Sequence, residues 1–376
     1  MAFATASPSA FRRFAYVPLL VILAFWVELI VVSVPLSRSH DFLGFYAGGF
    51  LLTHGQATDL YDLGVQGSVE RQMGSDYTMP FIRPPFYAAL FAPLARLSLN
   101  AGSWVWAGVT TTVFLLCLIW GYKRFGWFAL LLGVIDAAVP IGISQGQDPI
   151  ILLALLIVCY ELINRDLPFA AGSVLALTLF KFNLVLLWPV VLIVQRRWRI
   201  LAGFGLVAAI EAILSFLLVG MPGLRSYASL LLDHHFGANR DAMISFTGFA
   251  ANLGLQSVVW KAALVCLTLA LFFLALRRAS LEKTFSIATV SSLAIAPHAY
   301  AYDLAPFLLT SWFTLFCVRR RFARIMALLI ATAIPFPLLY VGKPWKSIAA
   351  ASLIVFLAAL APANDAPPES AKPSNE

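Results

Sequence analysis

The chain has 376 residues, of which 61% are hydrophobic and only 12% are charged. A soluble domain carries about 25% charged residues, so this composition excludes an ordinary soluble globular protein. The formal net charge is +8, but the Lys and Arg residues stand in short clusters between long apolar runs. Membrane proteins place their cytoplasmic basic residues in this way, so we expect no nucleic-acid partner.

The first long apolar run covers residues 14–36 and follows Arg12 and Arg13. It is longer than the apolar region of a signal peptide and lacks an A-x-A-type cleavage site, so it predicts an uncleaved first span. Lipid leaves helices as the main way to satisfy backbone groups, and the alternating pattern of barrel strands is absent. We therefore predict an all-α, polytopic transmembrane bundle.

Residues 37–100 are predicted to form one long external loop. Its apolar piece 84–97 would be about 21 Å long as a helix, which is too short for a hydrocarbon core of about 30 Å. We therefore expect 84–97 to be a helix that lies in or near the external interface. Phe42, Phe45 and Tyr46 recur at helical spacing, which favours another interfacial helix in this loop.

The remaining apolar runs bring the bundle to about 12 spans, with eleven or thirteen as alternatives, and place both termini in the cytoplasm. We expect one domain over residues 1–361, a second external loop at 221–255, and a disordered, Pro- and Ala-rich tail at 362–376. The further predicted spans are 101–121, 126–143, 149–163, 167–181, 183–195, 200–219, 256–276, 284–299, 303–318, 323–341 and 345–361.

This topology collects the polar motifs on the external face and leaves mostly topology-setting Arg and Lys on the cytoplasmic face. Asp41 stands at the lip of the first span, where it is either an N-cap for the next helix or a general base. Arg83 precedes two prolines and is either a membrane-surface arginine or a fixed guanidinium for a phosphate or a carboxylate. Lys181 lies between two short apolar runs, where a phosphate partner fits better than a snorkelling lysine. His298 could donate to a phosphate.

Three acidic residues, Glu28, Asp136 and Glu211, are embedded in predicted spans. A charge in lipid costs at least about 2.5–3.5 kcal/mol, so each should face the bundle interior, be protonated or be paired. A proton relay in a secondary transporter of a small polar solute or lipid-linked sugar is the alternative function, although the chain shows no repeated span pattern. A non-catalytic assembly partner would not need polar groups on one face.

Phosphate loops, dinucleotide fingerprints, zinc-protease motifs and serine-hydrolase elbows are absent from the sequence.

Six stretches occur in a characteristic order: HDFLGFYAGG, HGQATDLYD, RPPFYAALFAPLARL, SQGQDPIILL, LFKFNLVLLWP and APHAYAYDL. In this order, over residues 14–320, the chain resembles glycosyltransferase family 87 of the GT-C superfamily. Those enzymes take a sugar from a polyprenyl-phosphate carrier outside the cytoplasm, and the best-known members are mannosyltransferases of mycobacterial phosphatidylinositol mannosides.

The resemblance implies an enzyme of the bacterial inner membrane with its active site facing the periplasm or exterior. It would move a hexose, with mannose expected, to a hydroxyl of a lipid or glycan acceptor with inversion at the anomeric carbon. Asp41 matches the position of the family's essential aspartate, which implies the role of general base. We expect no cofactor and no metal requirement, because no convincing cluster of acidic residues is present.

The resemblance also implies candidate binding residues, with two departures from the family pattern. Arg83 stands where relatives often have an aromatic residue, and Asp148 stands where an amide would be expected. The candidates for the donor phosphate are Arg83, Lys181 and His298. The candidates for the sugar and the acceptor are His40, Tyr46, Gln145, Gln147, Asp148, Tyr302 and Asp303.

Overall fold

The computed structural model of the chain describes residues 8–35, 41–232, 240–255, 257–277, 279–331 and 347–360. These residues are mainly helical and contain no β-strand, which confirms the predicted all-α class. The helices are α1 Pro8–Ser33, α2 Phe42–Thr53, α3 Leu63–Gln72, α4 Pro85–Phe91, α5 Leu99–Phe125, α6 Trp127–Ile135, α7 Ala138–Ser144, α8 Pro149–Asn164, α9 Pro168–Ala176, α10 Trp188–Val194, α11 Trp198–Leu232, α12 Phe246–Asn252, α13 Val258–Leu276, α14 Leu281–Ile295, α15 Phe307–Cys317, α16 Arg321–Ala331 and α17 Ser347–Leu360.

Three of these helices are long and apolar enough to cross a membrane by themselves. They are α5, α11 and the part of α13 from Val259 to Leu276, and at most 39% of each apolar window is buried. Helices α6 and α7 form a further candidate span that is bent by 47°. The apolar side chains therefore point mostly outward, as they do where lipid surrounds a helix. The chain is a polytopic helical membrane protein.

The centre of the bundle is formed by α14 and α15. Every residue from 283 to 294 and from 307 to 315 is buried, and a helix that is buried all round belongs in the interior. Two polar side chains of α14 bond to neighbouring elements: Ser292 Oγ accepts from the Leu187 amide at 3.1 Å, and Thr284 Oγ1 accepts from Gln195 Nε2 at 2.9 Å. The α14–α15 connection consequently emerges at the centre of one end of the bundle.

Within the predicted second external loop, 221–255, the helix α11 continues to Leu232. Gly220 adopts φ +64°, which breaks the helical path without ending it. Pro222 follows at once, and a proline is well tolerated in the first turn of a renewed helix because it has no N–H to satisfy there. The first third of the expected loop is therefore the second arm of a kinked helix.

The predicted helix at 84–97 is also divided. Helix α4 ends at Phe91, and a 3-10 turn covers Leu94–Arg96. Pro93 lies between them, where its missing N–H prevents a continuous helical ladder. The segment therefore consists of two short helical pieces and not of one interfacial helix.

Helices α9 and α11 approach at backbone distance through two glycines. A Cβ atom on Gly172 would meet the carbonyl oxygen of Ile200, and one on Gly203 would meet that of Phe169. Small residues at such crossings let helices in a membrane come close enough for extensive van der Waals contact. This contact fixes α9, and with it the chain that enters the site, against the long helix α11.

The close crossing predicts opposite results for two neighbouring glycines of α11. Gly203→Val forces the α9 backbone away and should destabilise the protein by at least about 1–3 kcal/mol, the usual cost of overpacking. Gly205→Val is the control, because a Cβ atom on Gly205 meets nothing within 4 Å. Thermal unfolding in detergent should show a clear drop for the first variant only; equal midpoints would contradict the proposed crossing.

Candidate active site

Five separate parts of the chain meet at one end of the bundle around a cavity of about 200 Å³. The start of α2 contributes Asp41 and Phe45, and the segment before α4 contributes residues 78–80, 82 and 83. Gln147 comes from the α7–α8 turn, and Lys181 comes from the chain that follows α9. The loop between α14 and α15 contributes His298, Tyr300, Tyr302 and Asp303.

The α7–α8 turn is held in place by its neighbours. The Phe42 amide donates to the Gln145 carbonyl at 3.2 Å, and the Trp106 indole donates to the Gly146 carbonyl at 2.9 Å. Gly146 has φ +69°, and a Cβ atom there would collide with Phe42. Only glycine suits both the left-handed backbone and the close contact. The next residue, Gln147, is thereby placed at the cavity, and Asp148 is placed behind it, against Arg83 and Lys181.

Lys181 reaches the cavity because the helix is interrupted. The α-helix α9 is followed by 3-10 turns over Leu177–Leu184. Within them, Lys181 has a non-helical backbone with φ −128° and ψ 51°. Its side chain is only 2% exposed. A lysine at this depth needs compensating charge, because an unpaired buried ammonium carries a large desolvation penalty.

A buried cluster of four charges supplies that compensation. Arg83 forms a fork on Asp148, with Nε 2.9 Å from Oδ2 and Nη2 2.8 Å from Oδ1. Lys181 Nζ lies 3.0 Å from Asp148 Oδ1 and 2.6 Å from Asp303 Oδ1. Burial alone would raise the pKa of Asp148, but Arg83 and Lys181 outweigh it and hold that pKa below its usual value. Burial tends to lower the pKa of Arg83, and Asp148 reverses this and raises it.

Asp41 is held at the edge of this cluster by two neutral donors. Its Oδ2 receives hydrogen bonds from Gln147 Nε2 at 2.7 Å and from the Tyr302 hydroxyl at 3.0 Å. Among the described residues, none donates to Oδ1. Burial and the nearby Asp41 raise the pKa of Tyr302 well above its usual value, so the phenol keeps its proton. The alternative that Asp41 caps α2 is wrong, because its side chain makes no capping hydrogen bond.

His298 lies in the loop that follows the end of α14 at Ile295. Asn183 Nδ2 donates to its carbonyl at 2.6 Å, and its ring stands edge-on to Tyr300 at 4.8 Å between centroids. The same loop is closed by the Tyr300 amide, which donates to Asp303 Oδ2 at 2.8 Å. Burial is the main cause that lowers the pKa of His298 to about 4, so the imidazole is neutral at pH 7.

Most of the residues predicted from sequence are brought together here. Asp41, Arg83, Gln147, Lys181, His298, Tyr302 and Asp303 line the cavity, and Asp148 lies directly behind Arg83 and Lys181. His40 lies outside the described residues. Arg83 and Lys181, two of the predicted ligands of the donor phosphate, are both paired with carboxylates in this cluster.

Tyr46 and Gln145, which were predicted as sugar or acceptor ligands, are not among the residues that line the cavity. The Tyr46 hydroxyl donates to the Leu97 carbonyl at 2.6 Å, and this bond ties α2 to the segment before α5. Gln145 acts through its backbone carbonyl, which accepts from the Phe42 amide. Helical spacing alone could not reveal on which side of α2 the Tyr46 ring would lie.

Sequence reasoning missed the extended segment 78–82, which forms one wall. Two fully buried side chains of α3 hold it: Glu70 Oε2 accepts from the Met79 amide and Gln66 Oε1 accepts from the Phe81 amide, both at 2.8 Å. Burial is the main cause that raises the pKa of Glu70 to about 7. Polar residues spaced by four on a helix are normally exposed, so the pattern carried no signal of this clamp.

The three embedded acidic residues lie in different helices or bends, outside the cavity. Glu28 is exposed, and Glu211 is buried in α11. Asp136 Oδ1 accepts from the amides of Ala138 and Val139, at 2.9 and 3.3 Å, and so begins α7 after the bend. None of the three lines the cavity.

Within the described ranges, no group of three or more His, Cys, Asp and Glu side chains could hold a metal ion.

Comparison with known proteins identifies one family. The model of glycosyltransferase family 87 matches residues 81–297, which is 217 of the 376 residues. This range contains Arg83, the α7–α8 turn and Lys181. Searches of curated proteins and of solved structures found no match.

The charge cluster predicts a ranking of two Asp→Asn variants. Asp148→Asn leaves Arg83 without its carboxylate and should cost about 3–5 kcal/mol, the usual penalty for breaking a buried pair. Asp303→Asn should cost less, since Lys181 keeps Asp148 and the amide oxygen can still accept from the Tyr300 backbone. Thermal unfolding in detergent measures both. A larger loss of stability for Asp303→Asn would show that Asp303, and not Asp148, contributes most to the stability of the cluster.

Acid should destabilise the protein through His298. Its folded pKa of about 4 lies below the ordinary value of 6.5, so the unfolded chain binds more protons between these values and stability falls as the pH drops from 6.5 towards 4. His298→Gln should reduce the fall in unfolding temperature between about pH 7.5 and about pH 5. His54→Gln, at an exposed histidine, is the control and should keep the wild-type fall. Identical acid sensitivity of all three proteins would contradict the burial of a neutral His298.

Proposed function

Because the chain belongs to glycosyltransferase family 87, whose members are membrane glycosyltransferases, we propose that it transfers a hexose from a polyprenyl-phosphate carrier to a hydroxyl of a lipid or glycan acceptor. Mannose is the hexose that the sequence resemblance favours. The observation that carries the proposal is the arrangement of Asp41, a cavity-lining carboxylate with one oxygen held by two donors and the other without a donor among the described residues.

In the proposed reaction, Asp41 is the general base. The acceptor oxygen attacks the anomeric carbon while its proton moves to Asp41 Oδ1. The bond between the anomeric carbon and the phosphate oxygen breaks, and polyprenyl phosphate leaves with the electron pair. Attack from the face opposite the phosphate inverts the anomeric centre. Gln147 and Tyr302 hold Oδ2 throughout, so the carboxylate needs no reorientation during the transfer.

The leaving phosphate gains negative charge and needs hydrogen-bond donors. A guanidinium has five N–H groups and an ammonium has three. Lys181 directs its three donors to Asp148, Asp303 and Gln147. Arg83 uses Nε and Nη2, and its Nη1 has no partner among the described residues. We therefore assign the phosphate contact to Arg83 Nη1 and to a neutral N–H of His298, and we assign to Lys181 an electrostatic role.

The proposed setting is the cytoplasmic membrane of a bacterium, with the cavity open to the external side. Basic clusters such as Arg196–Arg197 and Arg319–Arg321 favour the cytoplasm for the opposite end of the helices. A lipid-carried donor is presented at the membrane surface, which suits a cavity formed where short helices and loops meet the ends of the spans. We propose no cofactor and no metal requirement for the reaction.

The role of Asp41 is tested by Asp41→Asn. The variant should fold normally and lose turnover by about 10²–10⁴-fold, the usual contribution of a general base. The measurement is transfer from radiolabelled polyprenyl-phosphate mannose to a lipid extract in proteoliposomes, with the glucose-carrying donor in parallel. Asp62→Asn is the matched control: Asp62 caps α3 by accepting from the Gly64 and Val65 amides, a role that asparagine keeps. Near-normal turnover of Asp41→Asn would require another base.

A further inference from the structure

Gln147 connects the buried charge cluster to Asp41. Its Oε1 lies 3.1 Å from Arg83 Nη2 and 3.4 Å from Lys181 Nζ, and its Nε2 lies 2.7 Å from Asp41 Oδ2. The residue is only 6% exposed. The amide thus spans the distance between two cations and the proposed base.

The orientation of this amide follows from chemistry alone. Arg83 and Lys181 carry only donors, so the atom that faces them must be the oxygen. The amide nitrogen must then face Asp41 and donate to it. A flipped amide would place N–H groups against N–H groups and an oxygen against a carboxylate, which loses three hydrogen bonds and adds repulsion. The two cations therefore dictate that Asp41 receives a donor.

We propose that Gln147 is a positioning residue for Asp41: the charge cluster fixes its amide, and the amide fixes the carboxylate so that Oδ1 is the oxygen that takes the acceptor's proton. This inference rests on the proposed function. Two cations on Oε1 polarise the amide and strengthen its N–H as a donor, because linked hydrogen bonds reinforce one another. Tyr302 donates to the same Oδ2, and Lys181 Nζ lies 5.4 Å from its ring centroid.

A direct sugar ligand would leave its amide free for the substrate. Most of the Gln147 amide is already used: both acceptor positions of Oε1 face cations, and one of the two N–H groups of Nε2 is bonded to Asp41, which leaves a single N–H group. The sequence-based assignment of Gln147 to sugar or acceptor binding is therefore replaced by an indirect role. Substitution should change the chemical step more than substrate binding.

The first test measures kcat and donor KM over a range of pH, with radiolabelled polyprenyl-phosphate mannose and a lipid extract as substrates. Gln147→Met removes the donor to Asp41 and should lower kcat about 10- to 100-fold, the scale expected for a misplaced catalytic group. Donor KM should stay within about twofold, because substrate binding is retained. Gln147→Glu places a second carboxylate beside Asp41, so the acidic limb of the kcat profile should move to higher pH.

Gln195→Met is the matched control for these variants. Gln195 Nε2 also bonds across helices, to Thr284 Oγ1 at 2.9 Å, but the residue does not line the cavity. Its substitution should leave the acidic limb in place. If Gln147→Met raises the donor KM and leaves both kcat and the acidic limb of the kcat–pH profile unchanged, Gln147 is a substrate ligand and the positioning role is overturned.

The second test needs no activity. A glutamate at position 147 would be attracted by Arg83 and Lys181 and repelled by Asp41. Asp41→Asn removes only the repulsion, so it should change the unfolding temperature more favourably in the Gln147→Glu background than in the wild type. A double-mutant cycle isolates this coupling. Additive effects in the cycle would overturn the inference even if the protein is a glycosyltransferase. Conversely, strong coupling together with full turnover of Asp41→Asn would preserve the contact and refute the role of Asp41 as base.

Discussion

The pairing of Asp148 with Arg83 and Lys181 is the interaction on which the end of the bundle depends. Separately, each of these charges would be too costly to bury in a protein that is 61% hydrophobic. Together they join the segment before α4, the start of α8 and the interrupted helix after α9, and through Asp303 they also fix the central loop. The helix irregularities of this region follow from that requirement, because a regular helix through Lys181 would carry its side chain elsewhere.

The arrangement also separates the charges that stabilise the fold from the carboxylate of Asp41, which takes part in the proposed reaction. Its innermost carboxylate is fully buried and matched by cations, whereas Asp41 is only partly buried and is approached by neutral donors alone. A base bonded directly to Arg83 or Lys181 would bind its proton less readily, because a nearby cation favours the charged carboxylate. The Gln147 amide lies between the cations and Asp41. The cations fix the orientation of the amide, the amide fixes the carboxylate, and neither cation bonds to Asp41 directly.

Sequence patterns revealed the residue types of the site but not their pairing. Asp41, Arg83 and Lys181 could be found because polar residues that interrupt apolar runs are conspicuous and costly in a membrane protein. Their partners could not be found, since Arg83 and Asp148 are 65 positions apart and several packing arrangements would satisfy the same hydropathy. The side of α2 on which the Tyr46 ring lies could not be predicted, because its aromatic spacing fits either face of that helix. The bonds from Gln66 and Glu70 to the segment 78–82 could not be predicted from the sequence, because these side chains become buried only when that segment folds over them.

The glycine crossing of α9 and α11 bears on how the protein responds to its surroundings. Helix α11 has its apolar flank towards lipid, and α9 is held against it at backbone distance. A bilayer that is thinner or thicker than the apolar stretch of a helix changes the tilt of that helix. A tilt of α11 moves α9 with it and shifts the chain that carries Lys181. The acyl-chain length of the host membrane would then reach the cavity through the contact at Gly172 and Gly203, two residues that have no side chain.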